Sequence, residues 1–258
     1  MQSGSLMTAD QYLQNILQRE GVNTSPNSPV LGVQTTLRPI LNEWARGQLR
    51  SISPSGSFAK DTANSSGTDI DLFISLKSDT TNTLKEIYTT LSNKMREKGY
   101  SPRQQNVSIN VRVGPYDVDL VPAKHQGGSS EDHSLYRRRA DTWTQTNVTK
   151  HISAVRNGGR LLETRIVKLW RSQKGLDFPS FYLELATINA LSGSRSSLSQ
   201  NVWRTFEYLR DNFARSRIVD PANTNNIISD DLTASDKAAI AKAAAQALQA
   251  TDWNQIVV

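Results

Sequence analysis

The stretch Asp69-Ile-Asp-Leu-Phe-Ile-Ser75 sets apolar Ile70, Leu72 and Ile74 in alternation with Asp69, Asp71 and Phe73. Alternation with a period of two is the pattern of a β-strand with one buried face, so both carboxylates point the same way, about 7 Å apart. Like charges held that close repel, and a divalent cation with oxygen ligands is their natural partner. The fold must therefore bury Ile70, Leu72 and Ile74 while leaving the carboxylate side of the strand open to an ion. Taken alone, an Asp-x-Asp tripeptide also fits a solvated strand end, and its surroundings decide between the two.

Gly56-Ser57 lies upstream among small and polar residues, where a backbone can come close to a phosphate. Eleven residues separate it from Asp69. Downstream, Val111-Arg-Val-Gly-Pro-Tyr-Asp-Val-Asp-Leu-Val-Pro122 reads as a hairpin turning at Gly114-Pro115, with strands over 108–113 and 116–121. Asp119, between Val118 and Leu120, supplies a third carboxylate.

Gly-Ser, a spacer of eleven, Asp-x-Asp among apolar neighbours and a later apolar-Asp-apolar strand resemble the active site of the DNA polymerase β-like nucleotidyltransferase superfamily. Within it, Val118-Asp-Leu-Val-Pro-Ala123 resembles the branch that holds 2′-5′-oligoadenylate synthases, cyclic GMP-AMP synthase-like enzymes, bacterial cGAS/DncV-like nucleotidyltransferases and archaeal-type CCA-adding enzymes. The resemblance implies an α+β fold: a mixed nucleotidyltransferase sheet with helices, packed against a C-terminal helical domain. It implies that Asp69, Asp71 and Asp119 are catalytic and hold two Mg²⁺ or Mn²⁺ ions, and that Gly56 and Ser57 bind the triphosphate. On the helical side it points to Lys168 and Ser180 as further triphosphate ligands, with Tyr182 stacking on a base.

The net charge of +6 favours anionic partners without separating a nucleotide pocket from a nucleic-acid track. No cysteine is present, which excludes disulfides, thiolate metal sites and cysteine nucleophiles. No apolar run approaches the roughly 18 residues of a membrane-spanning helix, and the start lacks a signal-peptide pattern, so a cytoplasmic protein is expected.

Residues 1–7 read as a flexible leader, 8–145 as the catalytic domain and 146–258 as the helical nucleotide-binding domain. Helices are expected over about 8–19, 33–49, 80–98, 160–174, from 179, over 201–214, and from a Ser235 cap to Leu248. The stretch 123–143, with Arg137-Arg-Arg139, reads as a mobile loop, and 220–227 as a turn-rich loop. Arg165, Lys168 and Arg171 form a basic stripe, solvated or phosphate-binding, and His151 reads as structural. The expected activity is the joining of nucleoside triphosphates, ATP among them, into a cyclic or linear oligonucleotide messenger in bacterial anti-phage signalling. RNA-terminal transfer of the CCA-adding kind is the alternative. Beyond the nucleotides, an activating protein or nucleic acid is an open partner.

Overall fold

A computed structural model describes residues 7–67 and 69–258. The expected leader, Met7 apart, lies outside the described residues. In chain order come α1 (Ala9–Arg19), α2 (Pro29–Ala45), β1 (Leu49–Pro54), α3 (Gly56–Ala59), β2 (Ile70–Leu76) and α4 (Leu84–Glu97). Next are β3 (Arg103–Gln104), β4 (Ile109–Val113), β5 (Tyr116–His125), β6 (His133–Arg137) and β7 (Thr142–Thr146). The remainder is α5 (Val148–Asn157), α6 (Leu161–Gln173), α7 (Ser180–Ala190), α8 (Leu198–Asp211), β8 (Val219–Asp220), β9 (Asn223–Ile227) and α9 (Ala234–Ala247).

Several helices begin where side chains satisfy the first free backbone N–H groups. Thr8 with Gln11, Thr83 with Glu86 and Thr233 with Asp236 form reciprocal capping boxes for α1, α4 and α9. Thr233 therefore caps the end helix in place of Ser235. Helix α2 starts at Pro29, capped by the Ser28 hydroxyl, four residues earlier than the apolar stripe suggests. It stops at Arg46, which adopts a left-handed conformation (φ 46°), so Leu49 opens β1 and does not close the helix.

The chain forms two compact units. One comprises Asn23–Lys60 and Thr68–Ser153. Its sheet has the order β1-β2-β5-β4-β3, with β6 added to the end of β5 and β7 to β6; β2 and β5 run parallel, and the other pairs are antiparallel. One sheet face carries Leu72, Ile74, Val111, Val118 and Leu120 into a core with Leu37 and Leu41 of α2 and Leu91 and Met95 of α4. The opposite face holds Phe73, Ala123 and Leu135 and presents Asp69 and Asp71, as the alternation requires.

The stretch 123–143, expected as a loop, is largely strand and 3-10 turn. Only 126–132 connects as a loop; the rest is the end of β5, all of β6, a single 3-10 turn at Arg138–Ala140 and the start of β7. The arginine triplet straddles the β6–β7 connection, where Arg138 donates to the Gln105 carbonyl and all three side chains stay exposed. At the start of α5 the cap is Asn147, whose Oδ1 accepts from the Lys150 N–H at 3.0 Å; His151 sits one turn in.

The other unit comprises the described residues up to Val22, Asp61–Gly67 and Ala154–Val258. Leu13, Ile16 and Leu17 of α1, Ile166 and Trp170 of α6, Leu183 of α7, Val202 and Phe206 of α8 and Ile240 of α9 share one core. The expected boundary at 145/146 thus gives way to a division in which α1 and residues 61–67 go with the C-terminal helices. The stretch expected as a loop over 220–227 pairs as the hairpin β8–β9, closed by an Asp220 Oδ1 that accepts from the Ala222 N–H at 2.8 Å.

Candidate active site

Parallel pairing of β2 with β5 sets Asp71 directly opposite Asp119, with Leu72 opposite Leu120. Residues paired in this way share a face, so the carboxylates of two distant sequence segments meet at one place on the sheet. Asp69 enters the same face just before β2 begins at Ile70.

Gly56 completes the arrangement. It is the first residue of the short α3, with φ 57°, and a Cβ built on it would lie 1.8 Å from Asp71 Oδ2 and 2.4 Å from its Cγ. The Asp71 carboxylate thus packs directly on the Gly56 backbone, a contact that no side chain permits. The preceding residue is tied down as well: the Ser55 N–H donates to the Asp71 carbonyl at 2.9 Å. Ser57 follows in α3, half-buried. The Gly-Ser turn and the Asp-x-Asp strand, eleven residues apart in sequence, are therefore in contact.

Asp119 has a partner that the sequence reading missed. The Asn110 amide Nδ2 donates to Asp119 Oδ1 at 2.8 Å, and Asn110 Oδ1 in turn accepts from Arg103 Nη2 at 2.7 Å and Nε at 3.2 Å. Desolvation raises the Asp119 pKa, with the Asp117 charge adding to it, while the Asn110 hydrogen bond and Arg103 pull against the rise. The Asp69 carboxyl is also raised, first by desolvation and then by the charges of Asp119 and Asp117, against Arg103.

Among the described residues, no group of three or more His, Asp or Glu side chains stands in position to hold a metal ion by itself. The donor set nevertheless fits Mg²⁺ or Mn²⁺. It is made of hard carboxylate oxygens, and the Asp69 carboxyl, raised by desolvation and by the charges of Asp119 and Asp117, sits in a cluster of negative charge that a cation would relieve. Mg²⁺ is commonly bound by one or two carboxylates together with substrate phosphates, without an all-protein cage.

On the helical unit the basic stripe proves to be neither solvated nor open. Arg165 donates to Asn64 Oδ1 and to the Leu17 and Glu20 carbonyls; Arg171 donates to the Phe178 carbonyl at 2.8 Å and to Ser180 Oγ at 3.0 Å. Lys168 is 6% exposed, with Nζ 3.2 Å from Glu184 Oε1 and from Thr62 Oγ1. Thr62 donates to the same Glu184 oxygen at 2.6 Å, and Glu184 itself is fully buried. Ser180 opens α7 as expected, its hydroxyl accepting from Arg171.

Tyr182 does not offer a surface for stacking. It has no exposed area, and its ring lies edge-on to Phe178 and tilted against Phe213 at 4.9 Å. An aromatic residue one turn into a helix serves a core as readily as a ligand, and here the core has it. Burial also raises its hydroxyl, to about 12.

No protein-family model matches the chain. A cyclic AMP-AMP-AMP synthase from Escherichia coli strain MS 115-1 is 25% identical over 261 residues, spanning 85% of this chain and 81% of that protein. The structure of that enzyme, CdnC, with ATP superposes with a TM-score of 0.73 at 22% identity, covering 93% of this chain and 90% of CdnC. The chain has the polymerase β-like nucleotidyltransferase fold and is similar in sequence to a bacterial cyclic oligonucleotide synthase.

Other nucleotidyltransferases of the fold lie further off in sequence. CdnG of Bradyrhizobium diazoefficiens, solved with GTP, gives a TM-score of 0.73 at 11% identity, covering 92% of this chain and 91% of that one. The Cid1 poly(U) polymerase, solved with MgGTP, gives 0.63 at 11%, covering 93% of each. Among the described residues no helix is long and apolar enough to cross a membrane.

Proposed function

We propose that this nucleotidyltransferase joins nucleoside triphosphates, ATP among them, into a short cyclic oligonucleotide that serves as a second messenger in anti-phage signalling. The observation that carries the reading is the registered Asp71–Asp119 pair seated on Gly56, in a chain that matches a cyclic AMP-AMP-AMP synthase over 85% of its length.

Asp69 and Asp71 would hold two Mg²⁺ or Mn²⁺ ions, with Asp119 completing the second position. When bound, the ions supply charge for the triphosphate and acidify the attacking hydroxyl. Gly56 and Ser57 would meet the β- and γ-phosphates through backbone N–H and hydroxyl groups. Asp119, its pKa raised chiefly by desolvation, would accept the proton of the hydroxyl. The hydroxyl oxygen bonds to the α-phosphorus as the bond to pyrophosphate breaks, and pyrophosphate carries away the electron pair. The protein contributes position and charge, with no covalent intermediate.

Lys168 and Ser180 remain candidates for the triphosphate from the helical unit, Lys168 by exchanging its Glu184 partner for phosphate. CdnC has been solved in complex with HORMA-ΔN, and a protein of that kind is the activating partner to try first, ahead of a nucleic acid. The cytoplasm, where nucleoside triphosphates are abundant, is the compartment that the reaction requires.

The test is to incubate the purified protein with four ribonucleoside triphosphates and Mg²⁺ or Mn²⁺, alone and with a HORMA-type protein. A phosphatase-resistant oligonucleotide is expected, and Asp71→Asn should abolish both it and pyrophosphate release while leaving the melting temperature in place. Label entering only the ends of added tRNA, and never a small product, would establish RNA-terminal transfer in its stead.

A further inference from the structure

Four strands of the sheet place Arg103, Asn110, Asp119 and Asp71 in a single row. Arg103 on β3 pairs with Asn110 on β4, Asn110 with Asp119 on β5, and Asp119 with Asp71 on β2. Cross-strand partners point to the same face, so the row runs unbroken from a cation at the sheet edge to the carboxylates of the site. Hydrogen bonds follow it. Arg103 forks onto Asn110 Oδ1 at 2.7 and 3.2 Å, and Asn110 Nδ2 reaches Asp119 Oδ1 at 2.8 Å.

The chemistry of the three groups permits only one orientation of the amide between them. A guanidinium only donates, an ionised carboxylate only accepts, and a carboxamide does one at each end. Arg103 must face the amide oxygen, which turns the NH₂ group towards Asp119. Asn110 is 3% exposed and held on both sides, whereas Arg103 lies at the exposed end.

We propose that Asn110 is a positioning residue for Asp119, and that Arg103 fixes the Asn110 amide in the orientation this requires. Asp119 Oδ1 is thereby committed to the scaffold, and Oδ2 is the oxygen presented to chemistry. The inference rests on the nucleotidyltransferase reading of the site and adds the pair that orients its third carboxylate. Outer partners that orient a metal-binding or reacting carboxylate typically alter affinity or activity 10–100-fold when removed, roughly the size of effect expected here.

The experiment compares the full-length chain with Asn110→Leu, Arg103→Leu and Arg103→Lys. For each, kcat and KM for the nucleoside triphosphate are measured, and Mn²⁺ binding is titrated by electron paramagnetic resonance with a non-hydrolysable ATP analogue present. Asn110→Leu is expected to lower kcat roughly 10–100-fold with KM within about twofold, and to weaken Mn²⁺ binding on the order of tenfold. Arg103→Leu should act in the same direction with a smaller effect, and Arg103→Lys should restore part of it. Because Arg103 is exposed, its variants keep the test alive should Asn110→Leu fail to fold. Unchanged kcat and Mn²⁺ affinity in Arg103→Leu and any folded Asn110 variant would overturn the proposal, as would a rise in KM with kcat intact. Should the wild-type chain transfer no nucleotide at all, the proposed activity falls, and the Mn²⁺ titration still decides the positioning role.

Discussion

Gly56 leaves no room for a side chain beside the Asp71 carboxylate. Substitution by Ala would drive a methyl group to 1.8 Å from Asp71 Oδ2, and the positive φ adds backbone strain. The carboxylate or the turn must move by an ångström or more, a displacement that costs on the order of 10²-fold in a positioned reaction. Gly56→Ala is accordingly expected to lower turnover by about that factor with little change in global stability, checked by pyrophosphate release beside a thermal melt. Near wild-type turnover would mean that the turn does not support catalysis. At this scale the sequence was informative. The spacing of Gly56, Asp69, Asp71 and Asp119 was legible because strand alternation fixes a side-chain direction. The Asn110–Arg103 pair was not, because an amide within a strand carries no spacing signature until the register of β4 on β5 is known.

Helices α6 and α7 are joined by a buried charge pair where a basic stripe, solvated or phosphate-binding, was expected. Lys168, Glu184 and Thr62 satisfy one another with almost no exposure, so removing the ammonium takes from the buried Glu184 carboxylate the cation paired with it. Breaking such a pair from one side costs about 3–5 kcal/mol, while replacing both partners with apolar groups is often neutral. Lys168→Met is expected to lower stability by that amount in denaturant melts, and Lys168→Met with Glu184→Leu to recover most of it. Failure of the double substitution to recover would point to a second role for the lysine, and nucleotide affinity of the recovered protein then reports on triphosphate binding separately from folding. Periodicity could not distinguish these cases, because Arg165, Lys168 and Arg171 recur at helical spacing whether they face water or backbone carbonyls. The same limit hid β6 and β7. Thr142-Trp-Thr-Gln-Thr146 and His133-Ser-Leu-Tyr-Arg137 are polar enough to read as loop, and they become strands by pairing with each other.

At the scale of the molecule, chain order and spatial order diverge. Helix α1 lies at the start of the sequence, but its Leu13, Ile16 and Leu17 fill the core of the C-terminal helices, which a linear division into domains cannot anticipate. The last residues close the same unit: the Tyr12 hydroxyl donates to the Val257 carbonyl at 3.0 Å, and Gln173 exchanges hydrogen bonds with Val258 at 2.6 and 3.1 Å. Helix α1 and the stretch Val257–Val258 are thus in contact on one body. A short Gly/Ser tether between them, with the chain reopened at the exposed Thr81–Asn82 link, should give a circular permutant that melts cooperatively and keeps its activity. A permutant that fails to fold would mean that the order of synthesis, and not only the final contacts, matters to this protein. One that folds would free the present ends of the polypeptide from any duty as ends, and new ones could then be cut wherever a fused reporter or tether is wanted.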